Sequence, residues 1–314
     1  MNKSFLYKNK IFLVIILFLF LVYLYWLFNQ TKEPFYNENE NDNKKIAFCF
    51  LIYDSINNEE LWKKFFDTAD KNKYTIYIHY KQNVPLKYFE NYKLKNCIDT
   101  EWGKISLVKA SNILFKSAYE DPQNHKFVLL SNSCIPLKSF EQIYSKLTSD
   151  NMGYINEVED INNKGSKIYK YDPNKYGKSS QWIILNREMV KEIAFYDENL
   201  INYNFGDVYA PDEVYYCTMI KHKNLYNEVV VAKNSATNGS TFVFWNDMEY
   251  LYSKSSDSNA PQPRAYSVIS SEELNYLHSQ PCMFGRKFNK DCKVLMNSEY
   301  KNLEDFMMDL YLKN

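Results

Sequence analysis

Between residues 45 and 148 the chain alternates apolar runs of strand length with segments whose apolar residues recur at helical spacing, and this restricts the fold more than any other feature. "KIAFCFLIY" (45–53), "KYTIYIHY" (73–80) and "KFVLLS" (126–131) read as strands. "NEELWKKFFDTADK", "SLVKASNILFKSAYED" (106–121) and "SFEQIYSKLTSD" read as helices. Such alternation predicts an α/β domain with a mainly parallel sheet. Beyond it come "GYINEVE" (153–159), "QWIILN" (181–186), a helix from Arg187, "TFVFW" (241–245) and "CMFGRKF" (282–288). No internal repeat is visible, so residues 45–314 read as one α/β domain with a more irregular C-terminal half. Ligands of open α/β sheets lie outside the carboxyl ends of the strands. Those ends carry His79-Tyr80-Lys81 and Ser131-Asn132-Ser133-Cys134. Turn chemistry explains Ser-Asn-Ser as well as a ligand role does, and His79 reads as a structural histidine.

The composition removes several function classes. Lys plus Arg and Asp plus Glu both number 38, so the chain lacks the basic excess of a nucleic-acid binder. Its 7 glycines form neither a dinucleotide fingerprint nor a P-loop. The 28 tyrosines fit the coding bias of an AT-rich genome.

The N-terminus has a separate plan. Residues 11–28, "IFLVIILFLFLVYLYWLF", are uncharged and just long enough to span a hydrocarbon core as a helix. Lys3, Lys8 and Lys10 precede the run, whereas Lys32 and Glu33 after it cancel, which predicts a cytosolic N-terminus. The run exceeds a typical signal-peptide core, and no small-residue cleavage pattern follows it. The expectation is a cytosolic tail (1–10), a transmembrane signal anchor (11–28), a short polar stem (29–44) and a lumenal domain (45–314). Cysteines 49, 97, 134, 217, 282 and 292 form no C-x-x-C pair, so zinc spacing is absent and one to three disulfides are expected in a lumenal setting. Asn238-Gly239-Ser240 and Asn29-Gln30-Thr31 are sequons, the second close to the expected membrane.

The stretch "DVYAPDEVYYCTMI" (207–220) sets Asp212 and Glu213 after a proline and before an apolar run of helical spacing. Carboxylates there suit the first turn of a helix, complementing the helix dipole. They also suit proton transfer, and this segment alone leaves the choice open.

Five strings in order, "FVLLSNSCIPLKSFEQIY", "KSSQWIILNREMV", "APDEVYYCTMI", "TFVFW" and "FGRKF", resemble the Core-2/I-branching β-1,6-N-acetylglucosaminyltransferase family, including its plant-type relatives. The resemblance covers most of 45–290. It implies a GT-A-like nucleotide-sugar-binding sheet with flanking helices, type II membrane topology and a Golgi location. It also implies inverting transfer from a UDP-sugar, most readily N-acetylglucosamine, to a glycan or glycoprotein acceptor.

Carried over residue by residue, the resemblance makes Glu213 the general base and leaves Asp212 as a helix-start residue. It places the two diphosphate-binding cations at Arg264 and Lys287, with Arg286 making the second ambiguous by one position. It assigns acceptor contacts to Glu157 and Trp245, while Trp182 reads as core. The family is metal-independent, so no metal or other cofactor is expected. Ser131-Asn132-Ser133 indeed offers no hard anionic ligands. Glu157, Glu159 and Asp160 keep a metal-dependent alternative open. Many relatives carry His-x-Asp where this chain has His79-Tyr80-Lys81, which puts the nucleotide contact there in doubt. Xylose and glucuronic acid transferases, or a catalytically silent carbohydrate-binding relative, are the remaining alternatives.

Overall fold

The computed structural model describes residues 44–159, 163, 166–233, 239–244 and 263–312, together with Phe20 and Tyr23. The rest of the expected anchor and stem, Asp160, Asn238 and Trp245 lie outside the described residues. Among the described residues no helix is long and apolar enough to cross a membrane.

The strands are β1 (Lys45–Ile52), β2 (Tyr74–Tyr80), β3 (Asn124–Ser131), β4 (Ile135–Pro136), β5 (Gly153–Val158), β6 (Lys178–Ser179), β7 (Ile184–Asn186), β8 (Val229–Lys233), β9 (Thr241–Val243), β10 (Tyr266–Ser270), β11 (Phe284–Arg286), β12 (Phe288–Met296) and β13 (Glu299–Asn302). The longer helices are α1 (Glu59–Asp67), α2 (Ile105–Tyr119), α3 (Phe140–Thr148), α4 (Glu198–Phe205), α5 (Tyr215–His222), α6 (Ser271–Ser279) and α7 (Leu303–Tyr311).

The main sheet runs β2-β1-β3-β7-β5, with β6 and β8 also pairing with β5. Strands β2, β1 and β3 are mutually parallel, and β8 is parallel to β5. The short β7 runs antiparallel to both β3 and β5, so β5 regains the direction of β3. The mainly parallel sheet expected from the alternation is therefore present, interrupted by two short antiparallel strands.

Strand β1 shows why the first half was readable. Ile46, Phe48, Phe50 and Ile52 enter a cluster with Leu61, Trp62, Phe65 and Phe66 of α1, while Ala47, Cys49 and Leu51 enter another with Val108, Leu114 and Phe115 of α2. A strand covered on both faces must be apolar at every position, which yields a continuous run rather than an alternating one. Helix α3 is closed by a capping box, in which the Ser139 side chain accepts from Gln142 N–H and the Gln142 side chain returns to Ser139 N–H.

Two expectations fail here. All six cysteines are free, five of them buried. Burial pushes the thiols of Cys217, Cys282 and Cys292 up to about 12, which leaves them as small apolar core residues rather than thiolates poised for exchange. Asp212 does not start the following helix either. Pro211–Glu213 is a separate 3-10 turn preceded by Ala210 at φ 48°, and α5 begins only after Val214.

Candidate active site

The expected site residues fall mainly at the carboxyl edge of the sheet. The turn after β3 is built from its own side chains. Ser131 Oγ lies 3.1 Å from Ser133 Oγ and 3.2 Å from Cys134 Sγ, all buried. The open choice for Ser-Asn-Ser thus resolves toward turn chemistry for both serines. His79 is fully buried, its Nε2 accepting from Ile98 N–H at 3.0 Å. Burial lowers its pKa to about 4, so it is neutral at physiological pH, as befits a structural histidine.

Backbone bonds seat Lys287 over the ends of two strands. Its carbonyl accepts from Tyr266 N–H at 2.7 Å, and the next N–H, of Phe288, donates to the Ser133 carbonyl at 2.9 Å. The Phe288 carbonyl in turn accepts from Asn57 Nδ2, in the loop after β1, at 2.8 Å. The Lys287 side chain is exposed, and partial desolvation with Arg286 beside it lowers the ammonium pKa. Arg264 stands two residues before Tyr266. Its backbone N–H donates to the Phe244 carbonyl at 2.9 Å, and its guanidinium centre lies 4.8 Å from the Tyr266 ring centroid and 5.7 Å from that of Phe244. Glu273 Oε1 is 3.7 Å from Arg264 Nη1, too far for a hydrogen bond, and this buried nitrogen has no hydrogen-bond partner among the described residues. The structure therefore brings Arg264 and Lys287 to the same strand ends.

Arg286, left ambiguous by the sequence, has its own place. Its guanidinium centre lies 4.4 Å from the Trp182 ring centroid, and its Nε is buried without a hydrogen-bond partner among the described residues. Burial lowers its pKa, opposed by Cys134 and by Glu213, whose charge reaches it. Trp182 is buried against the core, in agreement with the reading of it as a core residue.

Glu213 is held from the other side. Lys178, at the β6 position paired with Val158 near the end of β5, places Nζ 3.3 Å from Glu213 Oε2. The side chains are 14% and 30% exposed, so the carboxylate reaches solvent while one oxygen is paired. Two tyrosines at the start of α5 anchor the turn. Tyr215 OH donates to the Ile193 carbonyl at 2.7 Å, and Tyr216 OH donates to Asn112 Oδ1 of α2 at 2.8 Å. Asp212, beside Glu213, is buried with Oδ1 lacking a hydrogen-bond partner among the described residues. Burial, reinforced by the Glu213 charge, raises its pKa to about 7. Two adjacent carboxyl groups are thus driven apart in function. One is buried and easily protonated; the other is accessible and paired with Lys178.

Glu157 lies on β5 and faces α5. Its Oε1 pairs with Lys221 Nζ, and its Oε2 accepts from Tyr226 OH at 2.6 Å. An ammonium against this carboxylate competes for the oxygens a metal ion would need. Asp160 of the same cluster lies outside the described residues, and among the described residues no group of three His, Cys, Asp or Glu could hold a metal. Glu159 is exposed.

This geometry coincides with a family match. The Core-2/I-Branching enzyme family matches residues 46–278, from β1 to the end of α6. The chain belongs to the Core-2/I-branching enzyme family. The match spans Glu157, Glu213, Trp245 and Arg264 and stops short of Arg286 and Lys287, whose case rests on their placement at the strand ends. A similar protein is Glycosyltransferase BC10 of Oryza sativa subsp. japonica, 26% identical over 174 residues. The similarity covers 51% of this chain and 42% of that protein, so the chain spans less than half the length of this relative.

Lys178 is what sequence reasoning missed. Lys178 sits in the "KSSQW" string, but a lone lysine beside two serines carries no signal of pairing with a carboxylate 35 positions on.

Proposed function

We propose that this Core-2/I-branching family member is an inverting, metal-independent glycosyltransferase on a GT-A-like sheet. It moves a sugar, N-acetylglucosamine in the first instance, from a UDP-sugar to a glycan hydroxyl. The observation that carries the reading is Glu213. It is an accessible carboxylate with one oxygen paired to Lys178, on the same sheet edge as Arg264 and Lys287.

In this reading Glu213 takes the proton of the acceptor hydroxyl as its oxygen attacks the anomeric carbon. The bond from that carbon to the diphosphate breaks on the opposite side, and its electron pair leaves on a phosphate oxygen of UDP. Attack from behind the leaving group inverts the anomeric centre. A base at contact distance from the hydroxyl is worth about 10²–10⁴-fold. Arg264 and Lys287 meet the charge growing on the diphosphate, the first as a bidentate fork and the second as a point charge. Glu157 and Trp245 contact the acceptor.

Residues 11–28 anchor the protein as a type II membrane protein with the domain in the Golgi lumen. The support is the uncharged apolar run and the lysines before it. A second reading, a carbohydrate-binding relative without turnover, is favoured by one observation. Lys81, where relatives carry an aspartate, donates to the Thr100 carbonyl at 2.5 Å and lies 3.5 Å from Asp99, so it makes a structural tie instead of a nucleotide contact.

The test is transfer by the full chain from UDP-N-acetylglucosamine, UDP-xylose and UDP-glucuronic acid to a mixed glycan acceptor pool in EDTA, with the anomeric configuration of the product read by NMR. A β-linked product from an α-linked donor, formed in EDTA, is expected for N-acetylglucosamine or glucuronic acid. An α-linked product, or transfer that requires a divalent ion, would overturn the mechanism. Absence of any transfer with glycan binding intact would favour the second reading.

A further inference from the structure

Large aromatic rings left in water tend to mark a binding surface when they cluster. Trp102 is 79% exposed and Tyr209 is 54% exposed, and they are not scattered. Their ring centroids lie 6.5 Å apart at an interplanar angle of 77°, an edge-to-face pair on the surface. Neither belongs to the hydrophobic clusters that hold the fold together.

Both backbones are tied down. Tyr209 N–H donates to Asn163 Oδ1 at 3.0 Å, and the Tyr209 carbonyl accepts from Asn163 Nδ2 at 3.1 Å, Asn163 itself being buried. In the loop carrying Trp102, the Thr100 carbonyl accepts from Lys81 Nζ, and Glu101 N–H donates to Ser106 Oγ at 2.9 Å. Rings on anchored backbones lose less entropy when they engage a ligand.

Their position supplies the partner. Tyr209 leads through Ala210 directly into the Pro211–Glu213 turn, and α2, which begins just after Trp102, packs against that turn. The pair therefore borders Glu213, where an acceptor hydroxyl must arrive, whereas the cations expected to take the donor diphosphate stand over the ends of β1 and β3. The C–H face of a pyranose is apolar and packs on an aromatic ring, while its hydroxyls stay in water.

We propose that Trp102 and Tyr209 form an aromatic platform for the acceptor, a neutral oligosaccharide whose sugar next to the reacting one stacks on the face of one ring and meets the other at its side. The identity of the ligand rests on the glycosyltransferase reading of Glu213. The platform makes the chain selective for acceptors longer than a monosaccharide.

The test uses the full chain in detergent, a printed panel of neutral mono- to tetrasaccharides, and UDP binding by calorimetry as an independent readout. The wild type is expected to retain at least one oligosaccharide. Trp102→Ala and Tyr209→Ala each weaken that retention by roughly tenfold, Trp102→Phe and Tyr209→Phe lose less, and UDP affinity stays unchanged. Full retention by both alanine variants overturns the platform, as does a wild type that binds UDP but no oligosaccharide. A donor affinity that falls in the variants while glycan retention holds also overturns it, assigning the rings to the donor sugar. Loss of glycan retention in variants of a wild type that binds no UDP supports the platform and contradicts the transferase reading instead.

Discussion

Lys178 Nζ lies 3.3 Å from Glu213 Oε2, and the lysine is only 14% exposed. The pair fixes one oxygen of the proposed base and leaves the other for the acceptor. Lys178→Met should lower kcat by roughly 10–100-fold, a part of the about 10²–10⁴-fold that a positioned base supplies. The melting temperature should stay near wild type, and Lys178→Arg should recover part of the loss. The check is steady-state kinetics beside a thermal melt; an unchanged kcat in Lys178→Met would remove the lysine from the mechanism.

Asp212 predicts a pH-dependent stability. Its folded pKa is raised from 3.8 to about 7, so the native state holds a proton that the unfolded chain has lost between those values. The corresponding stability is fully present below about pH 4 and disappears as pH rises through 7, amounting to about 4 kcal/mol at most. Denaturant melts at pH 4.5 and pH 8 should show this component in the wild type and lack it in Asp212→Asn. Glu213 and Lys178 face the same group, so Glu213→Gln should reduce the component without abolishing it.

Glu157 is bound on both oxygens, by Lys221 and Tyr226. Glu157→Gln leaves the Lys221 ammonium without its counter-charge and should cost about 3 kcal/mol of stability, the low end for a pair that is not fully buried. Tyr226→Phe should cost about 1 kcal/mol. Chemical denaturation measures both. A Glu157→Gln variant of wild-type stability with a raised acceptor KM would assign the carboxylate to the ligand alone.

The six cysteines are free thiols. Alkylation after denaturation without reductant should therefore add six labels per chain, and reductant should leave the melting temperature unchanged. In the native protein Cys97, the half-buried one, should react first. Fewer than six labels would place disulfides in the fold after all.

The parts of the fold legible in sequence were those where burial on two faces forces unbroken apolar runs. Strands β1, β2 and β3 and helices α2 and α3 stand within two residues of their expected bounds, and α1 ends four residues early. Strand β6 escaped notice because two residues, Lys178 and Ser179, carry no periodicity, yet it positions the partner of Glu213. The helix start at Asp212 was misplaced because Pro-Asp-Glu suits a 3-10 turn as well as a first α turn. Only the left-handed Ala210 and the break at Val214 distinguish the two. The candidate base and cations were reachable by resemblance, and the structure separates the roles of Arg286 and Lys287. The first packs on Trp182; the second stands exposed at the strand ends. Disulfides were expected from compartment logic, which is blind to where the fold sends each thiol.

The central claim is that Glu213 is the base of a metal-independent transfer. The most direct measurement is UDP release by the full chain with its preferred UDP-sugar and a glycan acceptor, in EDTA, for wild type and Glu213→Gln. Glu213 as base predicts release by the wild type and a loss of at least about 10²-fold in the variant, with UDP affinity unchanged. Equal release by both proteins would contradict it and leave Glu213 as no more than part of a structural turn.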